Sequence, residues 1–342
     1  MDIQFLLSLI SAPFLRPLNF GDPFSLWSLA GAVLTAAVFF VLRRRRRKAS
    51  GPRVTRIRGR ALKAFLVPRR IWNHASVRLD LKFYLVTSAL FGLLFALWPI
   101  TAAGWSAMAA RGLVAAFGPA SHATGAWPAM VLATLAYAVV FDLSYYCVHR
   151  LLHDVPALWE FHKVHHSAEV MTPMTEWRQH PLEALVFPIS AGLFTGVLQG
   201  VMVWGFGPDA RPLAVGGVNL VMLFYIGSIL HLRHSHVWMP FRGVWGRLFQ
   251  SPAHHQIHHS MRPEHFGKNL GFALSIFDWA FGTLSIPPER APGLTFGLTP
   301  TEDHGKTLVA SVVEPVGKAW GHVVGRPKKL PLIPANAGTQ MD

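Results

Sequence analysis

HRLLHDVPALWEFHKVHHS (149–167), followed much later by SPAHHQIHHS (251–260), decides how this chain is read. The first stretch carries His149 and His153, then His162, His165 and His166; the second carries His255, His258 and His259. Fourteen of the eighteen histidines lie between His149 and His265, so the imidazoles are clustered rather than spread. Residues i, i+3 and i+4 share one face of an α-helix, and each group therefore presents two or three rings on one side. Asp154 with Pro156, and Ser251 with Pro252, read as helix starts, a polar cap followed by proline in the first turn. His254 falls at the edge of its arc and is the weaker candidate.

A single histidine on an apolar face is usually a hydrogen-bonded core residue. Three helix-spaced groups are different, because packing them without partners would repeatedly desolvate polar rings. Eight imidazoles exceed the needs of one tetrahedral ion and suit two; zinc, copper, iron and nickel all accept imidazole. HLRHSH (231–236) adds His234 as a further candidate ligand and His236 as a second, with His231 weaker because it directly ends an apolar run. His180, in RQHPLE, is a candidate ligand or a border of the site. His74, His122, His265, His304 and His322 read as ordinary histidines. Acids able to orient ligating rings are Asp142, Glu160, Glu169, Glu176, Glu183 and Asp278. Asp142 leads them, because it stands in an apolar run, seven residues before His149.

The rest of the chain is that of a membrane protein. Of 342 residues 51% are hydrophobic and 14% charged, against about 25% charged in a typical soluble domain. Apolar runs span 27–42, 81–100, 127–146, 184–206 and 212–230. Residues 43–80 carry fourteen Lys or Arg and one acid, Asp80. A basic block beside an apolar run marks the cytoplasmic side, so the net charge of +15 reflects topology rather than nucleic-acid affinity. The amino terminus is then outside, 43–80 inside, 101–126 outside, 149–183 inside, a tight turn near Gly207-Pro208-Asp209 outside, and everything after 230 inside. Every histidine motif falls on the cytoplasmic face. Cys147 is the only cysteine, which excludes an intrachain disulfide and a thiolate zinc site. Asp2 and the want of a small-residue cleavage site speak against a cleavable signal peptide.

At HRLLH (149–153), LWEFHKVHHS (158–167), RQHPLE (178–183), SPAHHQIHHS (251–260) and KNLGFALSIFDWAFGTL (268–284), the chain resembles the fatty acid hydroxylase/sterol desaturase superfamily. The resemblance implies an all-α integral membrane protein with about four to five transmembrane helices and a cytoplasmic histidine-rich helical cap holding a dinuclear metal site. It implies two iron ions, bound by His149, His153, His162, His165, His166, His255, His258 and His259, with His234 at a position of a further family histidine. His236 stands where related chains often carry asparagine. The implied activity is O2-dependent hydroxylation or desaturation of a fatty acyl, sterol-like or other isoprenoid lipid, in a bacterial inner membrane. No dinucleotide motif, CxxCH or cluster-forming cysteine set is present, so a separate donor is implied: a reductase with a ferredoxin or a cytochrome b5-like carrier. The domain expectation is an anchor and basic segment over 1–80, the catalytic domain over 81–285, and a cytoplasmic tail over 286–342, disordered from Arg326. The alternative from another class is a membrane metal-binding or metal-transport protein.

Overall fold

The chain folds as an almost wholly helical bundle, and the computed structural model describes residues 11–48, 59–95, 97–120, 126–299, 302 and 305–325. Residues 1–10, the basic positions 53–58, His122, His304 and the tail from Arg326 lie outside the described residues. The helices are α1 (Leu26–Lys48), α2 (Gly59–Leu66), α3 (Arg69–Trp72), α4 (Ala75–Phe95), α5 (Leu97–Phe117), α6 (Ala126–Asp154), α7 (Pro156–His166) and α8 (Pro181–Phe206). They continue with α9 (Leu220–Tyr225), a π turn (Ile226–Leu230), α10 (His231–Arg233), α11 (Gly243–Leu248), α12 (Pro252–His258), α13 (Ile276–Ala280) and α14 (Leu308–Val324).

Four helices are long and apolar enough to cross a membrane, at Leu26–Arg45, Pro99–Phe117, Trp127–Asp154 and Pro181–Phe206. Helix α6 runs 29 residues, about 44 Å at 1.5 Å per residue. A hydrocarbon layer is only about 30 Å thick, so α6 is several turns longer than a crossing requires, and His149 and His153 stand in its last turns. The helix stops because Pro156 pushes Val155 out of the helical region, to φ −98°, ψ 113°.

Packing contacts define two ends of the bundle. Ala129 and Ala133 of α6 pack against Met202 of α8 at one end, and Ser144 bonds Ser190 nearer the other, so the two helices run antiparallel. Helix α5 runs alongside α8. Gly196 and Gly200 permit the approach: a Cβ on Gly196 would lie 2.5 Å from the Ala102 carbonyl oxygen, and one on Gly200 2.5 Å from that of Ser106. Small residues four apart are how helices in lipid come close.

One expected connector and one expected crossing are corrected. The run expected at 81–100 falls on α4 and the start of α5, with Ala96 between them outside the described residues, and most of the expected outer connector 101–126 is helix. Helix α4 starts beside Arg178, and α5 ends where the Gly118 carbonyl meets the Trp204 indole. The run expected at 212–230 begins instead with a hairpin, β1 (Ala214–Val215) and β2 (Val218–Asn219), antiparallel with Ala214 opposite Asn219. Its turn is set by Gly216 and Gly217 at φ 57° and 80°. That leaves Leu220–Arg233, a shorter apolar helix, to return to the histidine end.

Within the expected tail, 308–324 is helix. Thr307 caps α14, accepting from the amide of Ala310, and α14 packs on α7. At the other helix starts, Ser251 caps α12 as expected, whereas the cap of α7 is Val155 and Asp154 instead pairs with Arg150 at 3.1 Å.

Candidate metal centre

Helices α6, α7, α10 and α12 converge at one end of the bundle and place nine histidines in two groups. One group holds His149, His153, His162, His166 and His258; the other holds His165, His234, His255 and His259. Within each group the ligand nitrogens lie within 4.8 Å of one another. The i, i+3, i+4 spacing explains the division: on α7, His162 and His166 face the first group while His165 turns to the second.

The rings are oriented by what their Nδ1 atoms touch. His149 Nδ1 donates to the Leu270 carbonyl at 2.7 Å, His258 Nδ1 to the Lys268 carbonyl at 2.9 Å, and His165 Nδ1 to the Arg178 carbonyl at 3.3 Å. His162 Nδ1 donates to Glu183 at 2.9 Å, and His234 Nδ1 lies 2.8 Å from Glu176. With the proton on Nδ1, each Nε2 directs a lone pair inward. The His234 Nε2 is 3.1 Å from those of His165 and His259 and 2.8 Å from that of His255. His149 and His162 bring their Nε2 atoms to 3.1 Å. The buried Nε2 atoms of His153, His166 and His258 have no hydrogen-bond partner.

Inward lone pairs facing one another repel, and burying them unpaired costs about 1–3 kcal/mol each. A cation at each centre removes both penalties. Separations near 3 Å suit adjacent nitrogens around one ion bound at about 2.0–2.1 Å. The residues therefore fit a pair of metal ions. Burial, reinforced by the neighbouring rings, holds His162, His166 and His259 far below the ordinary imidazole value, and takes His258 to about 3. These rings are neutral and ready to ligate at physiological pH. Burial works against ionisation of Glu176, but His234 and Arg233 outweigh it and hold its carboxyl at about 2.

The remaining histidines are engaged elsewhere. His180 caps α8, accepting from the Leu182 amide and donating to the Val312 carbonyl. His236 donates to the Phe65 carbonyl. Both stand outside the two groups, because each already satisfies a backbone group. His231 meets Ser28 at 3.0 Å, and His254 completes the capping box of α12 with Ser251.

Asp142 also departs from expectation. It touches no histidine, and accepts instead from the backbone amides of Phe272, Ala273 and Leu274 at 3.1, 2.8 and 3.1 Å. Asp278 similarly accepts from the amides of Leu270 and Gly271. Two acids thus hold the 268–274 loop, whose carbonyls orient His149 and His258. Asn269, at φ 56°, turns the chain between those two carbonyls, and its side chain donates to the carbonyls of His254 and Ser285. Sequence reasoning passed over Arg233, buried 3.3 Å from His255 Nδ1 and 3.2 Å from the Tyr145 hydroxyl. Its only signal was a place between two histidines in HLRHSH.

Cavities flank the centre on two sides. One, of about 330 Å³, reaches His153, His166 and His258 and is walled by Trp159, Glu302 and His322. The other, of about 160 Å³, lies between α6 and α8, where Tyr145, Phe187, Pro188 and Phe272 make it apolar and Glu176 borders it.

An almost wholly helical membrane bundle with two histidine-only groups able to hold metal ions at one end is a narrow class. Residues 134–283, which contain all nine histidines, match the fatty acid hydroxylase family. Through this segment the chain is similar to the fatty acid hydroxylase/sterol desaturase superfamily. It is similar to an ornithine lipid hydroxylase of Rhizobium tropici, 28% identical over 212 residues, covering 60% of this chain and 57% of that protein. It is similar also to the alkylglycerol monooxygenase of Homo sapiens, 28% identical over 46% of this chain and 31% of that protein. A Delta(7)-sterol 5(6)-desaturase of Aspergillus fumigatus is 27% identical over 47% of this chain and 51% of that protein. The chain thus spans between about a third and just over half the length of these relatives. No solved structure matches it.

Proposed function

We propose that this protein is a membrane-bound, O2-dependent lipid oxygenase with a di-iron centre. The observation that carries the reading is the convergence of nine imidazoles in two groups, with the Nε2 atoms of His153, His166 and His258 buried without a partner. His149, His153, His162, His166 and His258 hold one ion; His165, His234, His255 and His259 hold the other. Iron bound there supplies the redox chemistry that activates O2 against an unactivated C–H bond. The Nδ1 contacts with Glu183, Glu176 and the loop carbonyls fix ring orientation. The apolar cavity between α6 and α8 takes part of a lipid chain directly from the bilayer, with Tyr145 and Phe272 as its walls and water excluded.

The relatives act, by their names, on ornithine lipid, alkylglycerol and a sterol. The substrate of this chain is accordingly a lipid with an acyl, alkyl or isoprenoid chain, hydroxylated or desaturated after a shared first C–H cleavage. Electrons come from a separate reductase with a ferredoxin or cytochrome b5-like carrier, which the basic cap face attracts. The arginines at the end of α1 favour a cytoplasmic position for that face, in a bacterial inner membrane. Metal transport would need ligands near mid-span, whereas both groups lie at one end.

Lipid mass spectrometry under 18O2, comparing a strain lacking the gene with one expressing it, tests the proposal. A hydroxylated or unsaturated lipid dependent on the gene and on iron is expected. An unchanged lipid profile with altered metal uptake would sink it.

A further inference from the structure

We propose that α14 lies in the plane of the membrane surface, on the cap side of the bilayer, with one face set into the lipid. The inference rests on the reading of α8 as a membrane-crossing helix, and adds to it a contact the catalytic reading does not require. At 100° per residue, α14 divides into three sectors. Ser311, Pro315 and Ala319 form one, buried on the side where α14 packs on α7 and His322 meets Glu160. Glu314 and Lys318 form the second, exposed and charged. Val309, Val313, Val316, Trp320 and Val323 form the third, a continuous apolar stripe between 48% and 71% exposed.

A helix between protein and water needs two sectors, and the apolar third calls for another medium. Its level in the fold identifies that medium. The Val312 carbonyl accepts from His180, the residue that caps α8 immediately before its apolar run. α14 is therefore fixed at the depth where α8 meets the bilayer boundary. From there α8 presents its own exposed apolar residues, Leu182, Val186 and Ile189, one turn after another. The 17 residues of α14, with Pro315 inside, are too few to cross. They suit a helix lying at the interface, with an aromatic ring at headgroup level. The sequence continues with Arg326, Lys328 and Lys329, whose charge favours an anionic leaflet. Since α14 also covers α7 and lends His322 to the larger cavity, its lipid contact ties that wall of the centre to the membrane surface.

The test uses the full chain in the Cys147→Ser background, reconstituted in phosphatidylcholine/phosphatidylglycerol vesicles. Nitroxides are attached at Val313→Cys, Val316→Cys, Lys318→Cys and, as a lipid-facing reference, Ile189→Cys. The readout is the ratio of collisions with O2 to collisions with a water-soluble nickel chelate. At 313 and 316 the ratio is expected to match that at 189 and to exceed that at 318 several-fold. Water-like ratios at 313 and 316 beside a lipid-like 189 overturn the α14 placement and leave the spans standing. Spin–spin broadening at 313 and 316 identifies a second copy on this face, and likewise overturns it. A water-like 189 removes the bilayer from α8, and both readings fall.

Discussion

Glu183→Gln should weaken one metal site and spare the other. The Glu183 carboxylate is almost fully buried and bonds His162 Nδ1 at 2.9 Å. His162 belongs to the five-histidine group alone. Glutamine keeps the volume and can still accept from Nδ1–H through its amide oxygen, so ring orientation survives while the capacity to ionise beside a bound cation is lost. Loss of a partner of this kind typically costs about 10–100-fold in metal affinity, about 1.4–2.8 kcal/mol. Purified protein, loaded anaerobically with Fe(II), is titrated with a competing chelator. Wild type defines two release equivalents; in Glu183→Gln one should shift tenfold or more while the other holds. Glu176→Gln, acting through His234 at 2.8 Å, should shift the opposite equivalent. If both equivalents move together in either variant, or neither moves, the assignment of separate groups with separate carboxylates is wrong.

His162→Ala and His258→Ala should each abolish the lipid product while the protein still reaches the membrane fraction; turnover retained in either refutes its role as a ligand. Asp142→Ala strips the acceptor from three backbone amides, at about 1–3 kcal/mol for each one left unsatisfied. Its melting temperature in detergent should fall by several degrees, with metal content falling alongside; an unchanged melting temperature refutes the anchoring role. Metal-free protein should lose stability in acid. Burial, opposed by the bond to the Lys268 carbonyl, takes His258 to about 3, while an unfolded histidine titrates near 6.5. Between those values the unfolded chain binds more protons. Stability is therefore full above about pH 6.5 and is lost as pH falls towards 3. Denaturant midpoints measured from pH 7.5 to 5.0 should decline; a flat profile contradicts the burial.

The sequence made the ligands legible because helix periodicity is local. Spacing alone put His162, His165 and His166 on one face, and marked His254 as peripheral. Which group each ring joins depends on how α6, α7, α10 and α12 meet, and no local pattern encodes that. His180 and His236 were ambiguous for the same reason, since their partners, the carbonyls of Val312 and Phe65, are remote in the chain. Asp142 was noticed for the right reason, a carboxylate in an apolar helix, but was matched to the wrong neighbour. Its partners are amides 130 to 132 residues later. The spans were legible where an apolar run was unbroken, as in α6 and α8. Reading failed at 101–117, where the expected outer connector is helix as far as Phe117. It failed again at 212–219, where Gly216 and Gly217 turn a hairpin inside an otherwise apolar run.

Asn269 holds a left-handed turn between two carbonyls that set two histidines from different helices. Part of the instruction for building this centre is therefore carried by main-chain oxygen, which no side-chain substitution can delete. Alanine scanning across 268–270 would register the buried side chains of Asn269 and Leu270 and leave the two carbonyls untouched. A designer transplanting the nine histidines to another scaffold would obtain the ligands without their orientation, unless this short bend of backbone went with them.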